Sequence, residues 1–314
     1  MLGTKGVGKT SFTAAKLISI GTKKRILPIQ DIEEIPTKAY RKRGFHIGTM
    51  RVQSSDIETG TQKELSLIAM AGAALRMGEA CLVINEIRSR VAVQGIINLL
   101  NTQPGIFVLY NFHAQSLRDV QDRLELVFGV PAASMFATDR YSFLRKIRFG
   151  RKGKLYRIMA KNYETDIEEH KFYEVFSLKR GPSIEKSSIM CNFLDVPEAS
   201  AWSLAGVSIG AIAKKLKLAS VPPALARRSD ETGISPEQYI LQAFFKGRVY
   251  SDIVNAARDT KVEGLLEMDF VLKCSAAANK ILRDVEDSEG NVDYSKVDEL
   301  WPSAFKKLVA EETA

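Results

Sequence analysis

The chain has 314 residues, 45% of them hydrophobic and 26% charged, with three cysteines and a formal net charge of +8. This length allows two domains, and the composition is that of an ordinary soluble protein. No apolar run approaches the roughly 18 to 20 residues that span a bilayer. Cys81, Cys191 and Cys274 form neither a CxxC pair nor an even framework, which fits a reducing compartment. The sequence therefore predicts a cytoplasmic protein without transmembrane helices or disulfides.

The basic excess lies in the first half of the chain. Lys plus Arg outnumber Asp plus Glu by 21 to 12 over residues 1–150, by 9 to 8 over 151–200, and are outnumbered 15 to 17 over 201–314. Nucleotide phosphates, an anionic membrane surface, acidic neighbours in a ring or nucleic acid would each explain this excess. The charge alone leaves these partners open.

A phosphate-binding loop begins the chain, because residues 3–10 read G-x-x-x-x-G-K-T. In this pattern backbone N–H groups cradle phosphates, the lysine reaches the β/γ-phosphates and the hydroxyl holds magnesium. The alternative is a flexible leader, but an amphipathic helix follows the pattern and ends at Gly21. The predicted nucleotide-binding residues are Gly3, Thr4, Lys5, Gly6, Val7, Gly8, Lys9, Thr10 and Ser11.

The position of this loop is unusual, since such a loop normally follows a buried strand and only Met1 and Leu2 precede it here. We therefore expect an N-terminally truncated piece or a mis-started reading frame. On that expectation, the central strand of the sheet and any preceding domain are missing.

Acidic residues follow the next predicted strand, Ile26–Ile29. Asp31, Glu33 and Glu34 come directly after it, where open α/β sheets bind their ligands. The alternative is an acidic surface turn. Residues 36–55 are aperiodic and predict a loop with a short strand near 47–52, and a capping box at 61–64 predicts a helix up to Gly78.

A second buried strand is predicted over residues 80–88, where an apolar run ends in Asn85 and Glu86. An acid at this point is a candidate Walker B carboxylate, which would polarise the attacking water or order magnesium. The alternative is a strand that ends in a surface glutamate. A helix over 91–101 and a strand over 105–110 follow, and His113 comes just after them, where it could sense the nucleotide.

The remaining chain changes character twice. A helix is predicted over 117–127, and residues 142–178 then alternate as short strands with basic turns, typical of an antiparallel meander. Beyond about residue 186 the pattern is helical, with segments at 203–218, from 235, and near 248–259, 262–283 and 294–310. We therefore predict domains at 1–182 and 183–314, separated at residues 179–182.

Four segments in order resemble the type II/type IV secretion system ATPases, the hexameric motors of type IV pili, archaella and type IV secretion, and especially their archaeal branch. They are G-T-K-G-V-G-K-T, Q-D-I-E-E-I, A-L-R-M-G-E-A-C-L-V-I-N-E-I-R and N-F-H-A-Q-S, similar to the family's phosphate loop, Asp box, Walker B segment and His box. The resemblance covers residues 1–178 well and the tail loosely. It implies an α/β fold with a RecA-like P-loop NTPase core, a mostly parallel sheet with antiparallel edge strands, and a C-terminal helical module.

The resemblance also implies ligands and partners. ATP and Mg²⁺ would bind at the loop, with Lys9 on phosphate and Thr10 and Glu86 toward the metal. The motor would be a homohexamer at the cytoplasmic membrane face, and its partner a membrane platform protein of a pilus or secretion system. It would power filament assembly or export.

The catalytic roles are likewise implied residue by residue. Asp31 and Glu34 would be the Asp-box acids, Glu86 the Walker B glutamate and His113 the His-box histidine. Arg76, ten residues before Glu86, is similar to the family's arginine that reaches a neighbouring subunit's nucleotide, and Arg88 is the weaker candidate. Such a finger contributes about 10³ to 10⁵ in rate.

Two residues depart from the family pattern, since Gln30 stands where an acid is usual and Asn85 where glycine is usual. The resemblance also implies an N-terminal domain that forms much of the ring interface, and we expect this domain to be missing from the sequence as given. Two other functions stay open: a DNA-directed motor of the RecA/helicase or conjugative type, which the basic first half favours, and a nucleotide-binding scaffold without hydrolysis.

Overall fold

The computed structural model divides the chain into two compact units, Met1–Glu174 and Val175–Ala314. It describes residues 1–30, 32–51, 69, 71–73, 78–87, 90–103, 105–195, 198–199 and 204–313. The division falls inside strand β7 (Lys171–Lys179). The predicted domain boundary at 179–182 lies at the end of that strand.

The first unit contains a four-stranded parallel sheet with strand order β2-β1-β3-β4. Ile29 of β1 is in register with Ile84 of β3, which is in register with Tyr110 of β4. All five residues of β1 are buried, as expected for a parallel strand covered on both faces. The strands are β1 (Ile26–Gln30), β2 (Met50–Arg51), β3 (Cys81–Ile87) and β4 (Phe107–Phe112).

The helices of the first unit alternate with these strands, as the α/β fold class requires. A π-helical turn (Arg123–Val127) and a 3₁₀ helix (Ala132–Ala137) follow the last of them. The α-helices of this unit are α1 (Lys9–Ile20), α2 (Thr37–Arg41), α3 (Arg90–Thr102) and α4 (Leu117–Asp122).

Leu2 lies between β4 and β5 (Arg140–Arg148), because it forms parallel bridges with Phe112 and with Phe143. Its N–H donates to the carbonyl of Ser142 at 2.9 Å, and its own carbonyl accepts from the N–H of Leu144 at 2.8 Å. Leu2, Phe112 and Phe143 belong to one buried cluster. The residue before the phosphate loop is therefore fixed between two strands.

Strand β5 pairs antiparallel with β6 (Leu155–Asp166), and the irregular register between Phe143 and Leu144 interrupts the ladder. The mixed sheet structure of the first unit therefore agrees with the predicted α/β class, parallel strands first and antiparallel strands after them.

The second unit packs around its own core, in which Phe245, Phe270 and Trp301 are fully buried. Its strands are the end of β7, β8 (Ser188–Cys191) and β9 (Glu198–Ala199), and β8 pairs antiparallel with both neighbours. Its helices are α5 (Ile209–Ala213), α6 (Pro223–Thr232), α7 (Pro236–Thr260), α8 (Met268–Asp284) and α9 (Tyr294–Thr313), with a 3₁₀ turn at Glu263–Leu266.

A buried arginine connects three elements of this unit. Arg248 is 5% exposed and pairs with Asp298 at 2.5 Å and with Asp252 at 3.6 Å. Asp252 also accepts from the indole N–H of Trp301 at 2.7 Å. Asp298 in turn accepts from the N–H of Gly210 at 2.8 Å, so α5, α7 and α9 share one charged network.

Several predicted elements differ from the structure. Helix α2 lies in the predicted loop at 36–55, and the predicted helix over 203–218 is limited to α5 among the described residues. Helix α6 was not predicted, and the segments starting at 235 and near 248–259 are one helix, α7. The predicted capping box at 61–64 lies outside the described residues. Across the described ranges, no helix is both long and apolar enough to cross a membrane.

Candidate functional site

The phosphate loop has the backbone that only glycine adopts easily. Gly3 has φ 148° and Gly8 has φ 97°, and Gly8 caps helix α1 in a left-handed conformation. A Cβ on Gly3 would lie 2.7 Å from the carbonyl oxygen of Leu144 and 2.8 Å from a methyl of Val7. Helix α1 begins at Lys9, so its first N–H groups lie where an anion binds at a helix N-terminus.

The loop faces a cavity of about 1050 Å³. The whole cavity lies within the first unit, and its walls come from α1, β3, the segments after β1 and β4, and strands β5 and β6. The lining residues are Lys5, Gly6, Val7, Gly8, Lys9, Thr10, Ser11, Phe12, Ala15, Glu34, Asn85, Glu86, His113, Leu144 and Arg157.

Lys9 and Glu86 meet on one side chain, His113. The Lys9 amine lies 3.3 Å from Nδ1 of His113, and Nε2 of that ring contacts the carboxylate of Glu86. An ammonium group can only donate, so Nδ1 of His113 accepts from Lys9. Nε2 and the Glu86 carboxylate are in close contact on the other side of the ring. Lys9 also donates to the carbonyl of Gly3 at 3.1 Å.

Thr10 and Glu34 meet on a second side chain, Asn85. The hydroxyl of Thr10 donates to Oδ1 of Asn85 at 3.2 Å, and Nδ2 of Asn85 donates to the Glu34 carboxylate at 2.8 Å. The cavity is therefore bordered by two bridges, Lys9–His113–Glu86 and Thr10–Asn85–Glu34.

An irregularity in β3 allows adjacent residues to serve both bridges. Ile84 pairs with Tyr110 and Ile87 with Phe112, so β3 advances three residues where β4 advances two. In a regular strand Asn85 and Glu86 would point to opposite faces. A bulge re-aims side chains and is common beside active sites, and here both residues line the cavity.

The acidic segment after β1 is held by Gln30, which is 2% exposed. Its side-chain oxygen accepts from the N–H groups of Glu34 and Ile35 at 3.2 and 3.3 Å. Glu33 pairs instead with Arg51, and the hydrogen bonds from Arg51 and Thr37 lower the pKa of its carboxyl. Of the two described acids in this segment, Glu33 and Glu34, it is Glu34 that lines the cavity.

Two basic residues beside the loop were not predicted as site residues. Lys146 of β5 donates to the carbonyl of Lys5 at 3.1 Å, and Arg157 of β6 donates to the carbonyl of Gly6 at 3.3 Å. The basic character of this hairpin was visible in the sequence. Its contact with the loop was not, because about 140 to 150 residues separate the partners.

A further bond ties the loop helix to β4. Thr13 and Asn111 are each 1% exposed, and the Thr13 hydroxyl donates to Oδ1 of Asn111 at 3.0 Å. This buried contact fixes α1 against the strand that carries His113 at its end.

Three predicted residues cannot be placed. Asp31, Arg76 and Arg88 lie outside the described residues. The predicted residues 5–11 of the phosphate loop, Glu34, Glu86 and His113 line the cavity. Gly3 and Thr4 are not among the lining residues, and their carbonyls accept from the Lys9 amine.

Of the comparisons with known proteins, the one with solved structures found matches. No protein-family model matches the chain, and no curated protein matches it. The chain is similar to the VirB11 ATPase of the Brucella suis type IV secretion system, with 18% identity and a TM-score of 0.40 over 52% of this chain and 46% of that one. It is similar to the Legionella pneumophila ATPase DotB with 12% identity and a TM-score of 0.38, over 53% and 45%. The chain spans less than half the length of either structure.

The residues around the cavity fit a nucleotide and Mg²⁺. The glycine backbone, the first turn of α1, Lys9 and Arg157 suit a polyphosphate. Among the described residues, no group of three or more His, Cys, Asp and Glu side chains could hold a metal ion. Mg²⁺ binds through few protein ligands together with phosphate and water. Thr10 would hold it, and Glu86 and Glu34 lie on the same cavity.

Proposed function

We propose that this chain is an ATP-hydrolysing motor of a type II/IV secretion, type IV pilus or archaellum-like system. The observation that carries the hydrolytic part is the meeting of Lys9 and Glu86 on His113. A phosphate-binding lysine and a carboxylate that share one imidazole lie within reach of the same terminal phosphate. The motor part rests on the four sequence segments, which occur in the order of that family within residues 3–116.

In the proposed reaction Glu86 acts as general base. It takes a proton from the water that attacks the γ-phosphorus, and the bond from that phosphorus to the ADP oxygen breaks. Lys9 binds the phosphate oxygens, and the loop N–H groups hold the polyphosphate in line. His113 orients the Glu86 carboxylate through the contact at Nε2. Mg²⁺, when bound, neutralises charge on the β- and γ-phosphates.

The proposed assembly is a homohexamer at the cytoplasmic face of the membrane, docked on a membrane platform protein. Arg76 would reach the nucleotide of a neighbouring subunit, and Asp31 would join Glu34 near the attacking water. Hydrolysis would then drive domain movements that assemble a filament or export a substrate.

Two substitutions test the hydrolytic part. We expect Lys9→Ala to weaken ATP binding about 10- to 100-fold, because charge-assisted hydrogen bonds contribute about 1.5–3 kcal/mol. We expect Glu86→Gln to bind ATP normally and to lose about 10² to 10⁴ in turnover. Lys23→Ala and Glu79→Gln, at exposed positions, are the matched controls. Undiminished turnover in Glu86→Gln would rule out its assigned role.

A DNA-directed motor is the second candidate, and the β5–β6 hairpin favours it. Residues 140–163 contain nine Lys and Arg and no Asp or Glu. The side chains of Arg148, Arg151, Lys152 and Lys154 near its turn are exposed. Stimulation of ATP turnover by single- or double-stranded DNA would support this candidate. Salt-sensitive DNA binding without stimulation would count against it.

A nucleotide-binding scaffold is the third candidate and gives a distinct result. ATP binding that depends on Lys9, with no ATP turnover by the same chain, would support it.

A further inference from the structure

Asn85 joins two parts of the proposed nucleotide site that are far apart in sequence. Thr10 lies 75 residues before it and Glu34 lies 51 residues before it. We propose that Asn85 is a positioning residue, which holds the Thr10 hydroxyl and the Glu34 carboxylate for a Mg²⁺–nucleotide complex. The proposal rests on the proposed function, since it concerns the same site.

The hydrogen-bond chemistry fixes which way the amide faces. An ionised carboxylate only accepts hydrogen bonds, so the nitrogen of Asn85 must face Glu34. Its oxygen then faces Thr10 and must accept from the hydroxyl. The proton of Thr10 is thereby committed to Asn85, and the lone pairs of the hydroxyl oxygen stay available to a cation.

Groups that bond to a metal ligand from behind determine the orientation of that ligand. Their loss typically lowers metal affinity by about 10- to 100-fold. Asn85 stands in this relation to Thr10, which the phosphate-loop pattern assigns to magnesium. Asn85 also brings Glu34, an acid from the segment after β1, toward the same hydroxyl.

The amide is the side chain that can make both bonds. Glycine, the usual residue at this point in the resembling family, would make neither of them. Aspartate could accept from Thr10 but could not donate to Glu34, and it would place a second carboxylate against it. The bulge between Ile84 and Ile87 allows this side chain to line the cavity together with Glu86.

The test separates binding that depends on metal from binding that does not. The full chain is titrated by calorimetry with the non-hydrolysable analogue AMP-PNP, once with Mg²⁺ and once with EDTA. The ratio of the two affinities is the gain from metal. We expect Asn85→Ala to reduce this gain about 10- to 100-fold and to leave the affinity in EDTA unchanged. Asn101→Ala, at an exposed position of α3, should keep the full gain.

A double variant tests the route through Thr10. If Asn85 acts by orienting that hydroxyl, Asn85→Ala should cause no further loss of the gain in a Thr10→Ala background. Thermal melting of each variant reports whether the fold is retained.

The failure of this proposal and the failure of the proposed function look different. A gain that Asn85→Ala keeps, or a loss equal in Mg²⁺ and EDTA, would overturn the role of Asn85 while nucleotide binding stands. A wild-type chain whose affinity for AMP-PNP does not increase with Mg²⁺ would likewise overturn the role of Asn85. A wild-type chain that binds no AMP-PNP in either buffer would overturn both proposals.

Discussion

Nζ of Lys9 lies 3.3 Å from Nδ1 of His113, a residue 104 positions later in the chain. The other nitrogen of the ring contacts Glu86, which is 17% exposed at its side chain. One imidazole therefore fixes the relative placement of the lysine and the carboxylate. A change in the position of Lys9 when phosphate binds would reach Glu86 through this ring.

The first prediction concerns His113. We expect His113→Ala to bind ATP about as well as wild type and to turn it over about 10²-fold more slowly, because misplacing a catalytic group by about 1 Å has this effect. Binding and turnover are measured on the same preparation. His46→Ala, at an exposed position after α2, is the matched control. If His113→Ala and His46→Ala turn over ATP equally, the imidazole does not position Glu86.

The second prediction concerns the loop backbone. We expect Gly3→Ala to lower the free energy of unfolding by about 1–3 kcal/mol, because its φ is 148° and the new Cβ would lie 2.7 Å from the carbonyl oxygen of Leu144. Gly21→Ala is a control with positive φ and open space around the Cβ. Urea unfolding of both variants separates the clash from the backbone strain, and equal losses would show that the clash is relieved.

The third prediction concerns the buried arginine of the second unit. Arg248→Ala would leave Asp252 and Asp298, whose side chains are only 12% and 17% exposed, without their buried cation. We expect the free energy of unfolding to fall by about 3–5 kcal/mol. Urea unfolding, monitored by tryptophan fluorescence, measures this change. Arg258→Ala removes an exposed arginine from the same helix and should change stability by less than about 0.5 kcal/mol. Similar values for both variants would mean that the network contributes little.

The fourth prediction concerns acid stability. Burial raises the pKa of Asp298, but hydrogen bonds from Ser208, Gly210 and Ile209 and the charge of Arg248 outweigh it, and the pKa falls below its ordinary value of 3.8. A carboxyl with a depressed folded pKa stabilises the fold above its unfolded pKa, and this contribution is lost as the pH falls through the folded pKa. We therefore expect the second unit to lose stability below about pH 4.

Urea unfolding between pH 3 and pH 7 checks this expectation. Asp298→Asn should flatten the acid limb of the stability curve, since the substituted residue no longer titrates, whereas Asp259→Asn, at an exposed position, should not. An unchanged acid limb in Asp298→Asn would assign the acid sensitivity to other carboxyls.

The sequence predicted the parts of the fold that local patterns determine. The apolar runs before Gln30, Glu86 and Asn111 gave strands, because a parallel strand covered on both faces must be apolar throughout. The same runs placed Glu34 and His113 after strand ends and Glu86 in the last residues of its strand. In a parallel sheet such ends lie at one edge, which explains why these residues meet around the cavity.

Contacts between distant segments could not be predicted in this way. The pattern over 203–218 predicts a long helix, but Leu218 forms a bridge with Leu194 and the carbonyl of Lys217 accepts from Asp195. Strand-like pairing with another segment therefore replaces helix there. The periodicity does not predict helix α6, which begins with Pro223, because proline ends helices as well as being favoured in their first turn.

The site shows the same limit. Lys146 and Arg157 contact the phosphate loop, from which they are separated by about 140 to 150 residues in sequence. No local sequence pattern can reveal such a contact. Asn85 was visible as a departure from the family, but its two bonds depend on the bulge in β3. A single extra residue in a strand leaves no mark in apolar periodicity, so the roles of such residues require the three-dimensional structure.

Strand β3 cannot lose or gain a residue between Ile84 and Ile87 without turning the side chain of Asn85 or of Glu86 away from the cavity. Most substitutions elsewhere in the strand would change the packing slightly. Deletion of one residue here would instead reverse the direction in which a cavity-lining side chain points. The number of residues between Ile84 and Ile87 is therefore as constrained as their identity. We expect no insertions or deletions at Asn85–Glu86 among functional descendants of this chain.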